Sequence, residues 1–246
     1  MKLTSLGCLL LSAAAASASP LTFSSGPTRV DLIELYTSEG CSSCPPAEAW
    51  MGDLLKKPGL WTEFVPVAFH VNYWDHLGWR DRLSSRTYTD REYAYASAWG
   101  SGSVYTPCFV RNGLEWKPRW GGAASLRDAA GTLTATLSAD GSCRVEFRSA
   151  PGAGGHQRPI RAHLALLGFG ISSRVTAGEN QGQTLGHEFA VLGLAEAAME
   201  DRAGSLVAAL GLPAPAVPDS ARRAVAVWVS QAMDLEPLQA AGGWIP

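Results

Sequence analysis

Two stretches early in the chain carry almost no polar residues, Val30–Tyr36 (VDLIELY) and Phe64–Val71 (FVPVAFHV). Such nearly continuous apolar runs, rich in β-branched side chains, predict strands covered on both faces. Between them Ala47, Trp50, Met51, Leu54 and Leu55 recur at helical spacing. Ser42 or Ser43 can cap that helix, Pro45-Pro46 fits its first turn, and Pro58-Gly59 ends it. Asn72–Arg82 is a loop with two tryptophans. A second helix is predicted from about Thr87 to Trp99, capped by Ser84 or Ser85 and closed by Gly100. Val104–Val110 then reads as a third strand that turns at Asn112-Gly113 into Leu114–Lys117. A short helix around Ala123–Ala130 closes this first unit.

From Thr132 the pattern alternates. LTATLS and SCRVEF flank Ala139-Asp140-Gly141, a β-hairpin. A Gly/Pro-rich loop, Pro151–Pro159, leads to a strand in RAHLALLGFG, and another is expected at Ala224–Ser230. The alanine-rich segment Leu194–Leu210 reads as a helix. The expected fold class is therefore α/β, with a first unit over residues 19–131 and a mostly β region over 132–246.

The start of the chain has a different character. Met1-Lys2, the apolar run Leu6–Ala16 and Ala16-Ser17-Ala18 together have the pattern of a secretory signal peptide over residues 1–18. The run is too short for a bilayer, which needs ~20 apolar residues, and no later segment is long and apolar enough. The expected location is secreted or periplasmic, with no membrane span in the mature chain. Lys+Arg 20 against Asp+Glu 22, with no basic run, argues against a nucleic-acid partner.

That location gives the cysteines their meaning. Cys41, Cys44, Cys108 and Cys143 follow the leader, and an even number in an oxidising compartment favours disulfides. Cys41-Ser42-Ser43-Cys44 lies between a buried strand and a helix start, the context of a thioredoxin-like redox motif. The helix terminus there favours a thiolate, making Cys41 the nucleophile and Cys44 the resolving thiol. Pro107, in Thr106-Pro107 before the third strand, stands where thioredoxin-like folds carry a cis-proline loop facing the dithiol; an ordinary trans proline opening a strand is the other reading.

Glu34-Leu35-Tyr36-Thr37-Ser38 leading into Gly40-Cys41-Ser42-Ser43-Cys44-Pro45-Pro46-Ala47 resembles the domain-of-unknown-function 1223 family of secreted thioredoxin-like proteins. Phe69–Trp79, Val104–Pro107 and Gly178–Leu185 are similar to it too. The resemblance implies a thioredoxin-like fold with a C-terminal extension and brings no substrate. Where that family usually has glutamine after the proline, this chain has Cys108. Glu34 resembles, with a one-residue offset, the buried carboxylate with which thioredoxins move a proton off the resolving cysteine; the alternative places it in solvent at the strand end.

Cys108 and Cys143 have three readings: a structural disulfide joining the two regions, a Cys108 that takes part in exchange, or two buried thiols. His70, His76 and Asp75 lack helical metal-ligand spacing, so the two histidines are assigned structural hydrogen bonds and no metal site is expected. His156 and His163 read as surface or core positions, and Trp74 and Trp79 as core or as walls of a groove beside the dithiol. Glu179, Asn180 and His187 form a polar group placed facing the first unit. The leading expectation is a thiol–disulfide oxidoreductase that needs no cofactor, its partners being protein or small-molecule thiols and disulfides. Two alternatives stand beside it. One is a soft-metal module holding copper or zinc through Cys41 and Cys44, with Cys108 or His70; the other is a binding protein in which the Cys41–Cys44 bridge is only a staple.

Overall fold

The computed structural model describes residues 19–118, 127–152, 158–232 and 234–246. The predicted leader, the first half of the short helix expected at 123–130, and His156 lie outside the described residues; 127–130 are not helical, and Ala129 forms a bridge with Thr28. In chain order the elements are β1 (Leu21–Ser24), β2 (Asp31–Thr37), α1 (Pro45–Asp53), β3 (Phe64–His70), α2 (Arg86–Ala98), β4 (Cys108–Arg111) and β5 (Leu114–Trp116). There follow β6 (Gly131–Leu137), β7 (Ser142–Ser149), β8 (Ile160–Phe169), β9 (Ile171–Arg174), β10 (Thr184–His187), β11 (Ala190–Ala198), β12 (Glu200–Arg202), β13 (Ser205–Gly211), β14 (Arg222–Gln231) and β15 (Pro237–Ile245).

Eight strands form one mixed sheet in the order β15-β14-β8-β11-β3-β2-β4-β5. Parallel β2 and β3 lie at its centre, and every residue of β2 is buried, as the apolar run at 30–36 predicts. The register sets Tyr36 beside Phe69 and Thr37 beside His70. Because side chains alternate, Glu34, Tyr36 and Phe69 share one face, while Thr37 and His70 share the other. Helix α2 covers the first face, reaching Glu34 through Arg91 and Tyr95, and α1 covers the second, reaching Thr37 through Glu48. The five-stranded sheet β1-β6-β7-β13-β12 packs on the rest of the second face, with Leu133, Ala135, Val145 and Phe147 against Leu164, Val225, Val227 and Val229.

The expected α/β thioredoxin-like fold with a β extension is overturned. The chain is 46% strand and 14% helix, with two α-helices among the described residues and three sheets. The physical reason is the pairing of β3. Its free edge is taken by β11, where Ala190 pairs with Ala68 and the Ala68 N–H donates to the Phe189 carbonyl. Strands from both sides of residue 131 therefore complete one sheet, and the first region has no closed sheet of its own. The helix expected at Leu194–Leu210 is also strand, running through the end of β11, β12 and β13. Antiparallel pairing of β11 with β8 and of β13 with β7 overrides the helical preference of alanine.

Other local signals hold. Ser85 caps α2 by accepting from the Thr87 N–H. Asn112 and Gly113 take positive φ of 51° and 84°, the two-residue turn that joins β4 to β5. No helix among the described residues is long and apolar enough to cross a membrane.

Candidate functional site

The Cys41–Cys44 pair forms a disulfide at the start of α1, with Cys44 in the N-cap position. The predicted serine cap is absent, since no side chain caps this helix. Pro45 and Pro46 also remove two backbone N–H groups that a helix terminus would offer an anion. The nearest donor to Cys41 Sγ is instead the Ser43 hydroxyl, 3.3 Å away. On the opposite side Sγ lies 3.8 Å from the Thr106 carbonyl oxygen, and the Thr106-Pro107 peptide is cis. Trp74 Nε1 donates to Thr106 Oγ1 at 2.8 Å and holds that loop against the bridge. A Cβ at position 40 would come within 2.9 Å of Trp74 Cβ, so the turn before Cys41 needs its glycine.

Both sulfurs are fully buried. The segment around Gly178–Gln183 is bonded to the turn that carries Cys41. Asn180 Nδ2 donates to the carbonyls of Glu39 and Cys41, each at 2.9 Å, while Glu179 accepts from the N–H and hydroxyl of Ser42. Beside the bridge opens an apolar cavity of about 370 Å³ between Trp50, Tyr105, Phe109 and Trp116, with Ser43 and Pro107 at its rim. Trp74 and Trp79 do not line it. Trp79 Nε1 donates to Glu39 Oε2 at 2.7 Å, so each tryptophan braces a loop next to Cys41.

Glu34 is buried, the first of its two readings, and its carboxylate is fully engaged. Its Oε2 accepts from Arg91 Nε at 2.8 Å and the Tyr36 hydroxyl at 2.9 Å; its Oε1 accepts from Arg91 Nη2 at 3.0 Å and the Tyr95 hydroxyl at 2.5 Å. Four donors exhaust the acceptor positions of a carboxylate. The role expected of Glu34, moving the proton of the resolving cysteine, is thus corrected to that of a structural ion pair.

The titratable groups beneath the bridge are others. Glu39, two residues before Cys41, is fully buried. Its Oε1 stands 3.1 Å from His187 Nε2, a contact that does not complete a hydrogen bond. His187 Nδ1 meets Glu48 Oε2 at 2.5 Å, and Thr37 Oγ1 donates to the other Glu48 oxygen. Burial alone would lower the His187 pKa; Glu39 and Glu48 outweigh it and carry it to about 10. Burial would likewise raise Glu48, but the hydrogen bond and charge of His187 bring it below the ordinary value. His70 pairs with Asp81 through Nδ1 at 2.7 Å and meets the His187 ring edge-on, centroids 5.0 Å apart. The ligand atoms of Glu48, His70 and His187 all lie within 4.8 Å of one another.

Cys108 and Cys143 are free buried thiols in separate side-chain clusters, so the bridge expected between them is not formed. Burial pushes the Cys108 thiol up to about 12, which removes its thiolate near neutral pH. Next to it Glu92 is raised to about 7 by burial, offset in part by the Tyr105 N–H.

Sequence reasoning missed Glu48, Asp81, Arg91 and Glu92. A carboxylate or arginine on an amphipathic helix reads as a solvated face. The available signal for Glu48 was its place one turn after Cys44, beneath the motif.

The family described as "Protein of unknown function (DUF1223)" matches residues 32–230. The chain belongs to this family. Among solved structures it is similar to a protein from Agrobacterium tumefaciens, with 22% identity, a TM-score of 0.62 and coverage of 87% of this chain and 94% of that one. It is also similar to HBP35 of Porphyromonas gingivalis, with 14% identity, a TM-score of 0.60 and coverage of 89% and 76%. At these identities the likeness is one of fold. No curated protein matches the chain.

Proposed function

We propose that this DUF1223 protein is an extracytoplasmic thiol–disulfide oxidoreductase working through Cys41 and Cys44. The observation that carries the reading is the bridge at the start of α1, with Cys41 Sγ near the Ser43 hydroxyl and the Thr106 carbonyl, and with Ser43 and Pro107 lining an adjacent apolar cavity. In the oxidised protein a substrate thiolate attacks Cys41 Sγ, the Cys41–Cys44 bond breaks, and Cys44 leaves as a thiolate. A second substrate thiolate then displaces Cys41, so the substrate departs as a disulfide with both protein cysteines reduced. Reoxidation by a disulfide compound runs the same steps backward. The cavity suits an apolar side chain beside the reacting cysteine, and a backbone N–H of an extended substrate can donate to the Thr106 carbonyl.

Because both sulfurs are buried and Asn180 and Glu179 hold the turn that carries Cys41, exchange begins with displacement of that segment. Cys41→Ser abolishes turnover in an insulin-reduction assay while the fold persists; full activity in that variant overturns the reading. Asn180→Ala removes two hydrogen bonds of about 1 kcal/mol each, and the bridge then reacts with dithiothreitol at least about tenfold faster.

The leader-like residues 1–18 and the oxidised pair support a secreted or periplasmic location as part of this proposal. The thiolate metal module is less favoured, because the metal-compatible group assembled among the described residues contains no cysteine.

A further inference from the structure

The cluster beneath the bridge has a feature that a settled ion-pair network lacks, namely loose ends. His70 Nε2 is buried and has no hydrogen-bond partner, while His187 Nε2 and Glu39 Oε1 face each other at 3.1 Å without completing a hydrogen bond. His70 is 1% exposed, and its Nδ1 is held by Asp81, which is itself fixed by the N–H groups of Glu39 and Leu83. That bond orients the ring so that Nε2 is the free nitrogen on the side of His187 and Glu48. His187 is arranged similarly, with Glu39 at one nitrogen and Glu48 at the other. An imidazole whose far nitrogen is fixed by a buried carboxylate is the second-shell arrangement of metal-bound histidines. The charges point the same way: buried Glu39 and Asp81 and half-buried Glu48 set three carboxylates against two imidazoles.

We propose that Glu48, His70 and His187 form a binding site for one divalent transition metal of the zinc class, beneath the Cys41–Cys44 bridge and independent of its sulfurs. Two imidazoles and one carboxylate suit zinc and its neighbours, whereas calcium and magnesium prefer all-oxygen shells. Ligands of a tetrahedral zinc stand roughly 3.3 Å apart, so the present spacing closes by side-chain adjustment when the ion enters. Asp81 and Glu39 act as orienting groups. The proposal does not rest on redox activity and stands or falls separately from it.

The test uses the full chain with the Cys41–Cys44 bridge oxidised, stripped of metal with a chelator and titrated with Zn²⁺ by calorimetry. One ion binds per chain, with release of protons. His70→Gln and His187→Gln each weaken binding at least about 100-fold, and Asp81→Asn weakens it about 10–100-fold. Co²⁺ gives visible absorption with no thiolate charge-transfer band. Failure of the folded wild type to take up Zn²⁺, unchanged affinity in both histidine variants, or a thiolate band would overturn the proposal. If one histidine variant does not fold, the other and the Co²⁺ spectrum decide.

Discussion

The two faces of β2 carry two buried charge clusters that differ in kind. On the α2 face, Glu34 and Arg91 are closed: every lone pair of the carboxylate is used, and the guanidinium lies 5.4–5.6 Å from the ring centroids of Phe69, Tyr95 and Trp228. On the α1 face, Glu39, Glu48, His70 and His187 touch one another but leave polar atoms unmatched. A closed cluster is a cross-link between helix and sheet, whereas an open one is poised to accept a proton, an ion or a displaced neighbour. The open cluster includes Glu39, two residues before Cys41, and Glu48, four residues after Cys44, which places the adaptable chemistry and the disulfide on the same side of the sheet.

The closed cluster gives the largest expected effect. Arg91→Ala leaves the buried Glu34 carboxyl without its counter-charge, and unfolding by denaturant should show a loss of about 3–5 kcal/mol. A loss below about 1 kcal/mol would mean that water reaches Glu34 and that the cluster is not closed.

The open cluster should respond less to truncation and more to pH. In metal-stripped protein, His187→Gln costs about 2–3 kcal/mol at pH 7, since the amide still donates to one carboxylate. The His187 pKa rises from 6.5 to about 10 on folding, so its contribution is complete below pH 6.5 and shrinks as pH climbs toward 10. Glu48 is shifted the other way, so its contribution is lost on acidification. Wild type and His187→Gln should therefore converge in stability between about pH 7 and pH 10. Parallel curves through that window would show that His187 is not charged in the fold.

The same contrast explains what was legible in the sequence. Apolar runs betray strands, so β2 and β3 were readable, and Cys41-x-x-Cys44 before a helical pattern placed the bridge. Cap and turn residues such as Ser85 and Asn112-Gly113 act within a few positions and read equally well. What stayed hidden is long-range. The pairing of β3 with β11 joins Ala68 to Ala190, and nothing local in either segment announces it. Arg91 reaches Glu34 across 57 positions, and His187 reaches Glu48 across 139. Glu34 reads equally as a buried carboxylate or as one in solvent at the strand end; its partner decides whether a buried carboxylate is a base or half of an ion pair, and that partner lies on another element. Alanine in β11–β13 misled for a related reason: its helical preference amounts to less than 1 kcal/mol per residue, which sheet pairing exceeds.

Glu92 supplies the smallest and sharpest test, because it is neighbour to Arg91 on α2 yet belongs to neither cluster. It is 2% exposed, its Oε1 accepts from the Tyr105 N–H at 3.3 Å, and its Oε2 has no partner. Burial raises its pKa from 4.5 to about 7, so the folded chain holds a proton there that the unfolded chain releases. Stability is therefore lost as pH rises from about 4.5 to 7, the opposite of an ordinary paired carboxylate. Glu92→Gln carries no such proton and keeps the size and the acceptor for Tyr105. It should match wild type near pH 4.5 and exceed it by more than about 1 kcal/mol above pH 7. The position pays for that strain with proximity, since Glu92 adjoins the Tyr105–Cys108 segment whose Thr106 carbonyl faces Cys41. If Glu92→Gln also flattens the pH dependence of exchange between pH 6 and 8, the carboxyl exchanges protons with the site; if only stability changes, burial alone accounts for it.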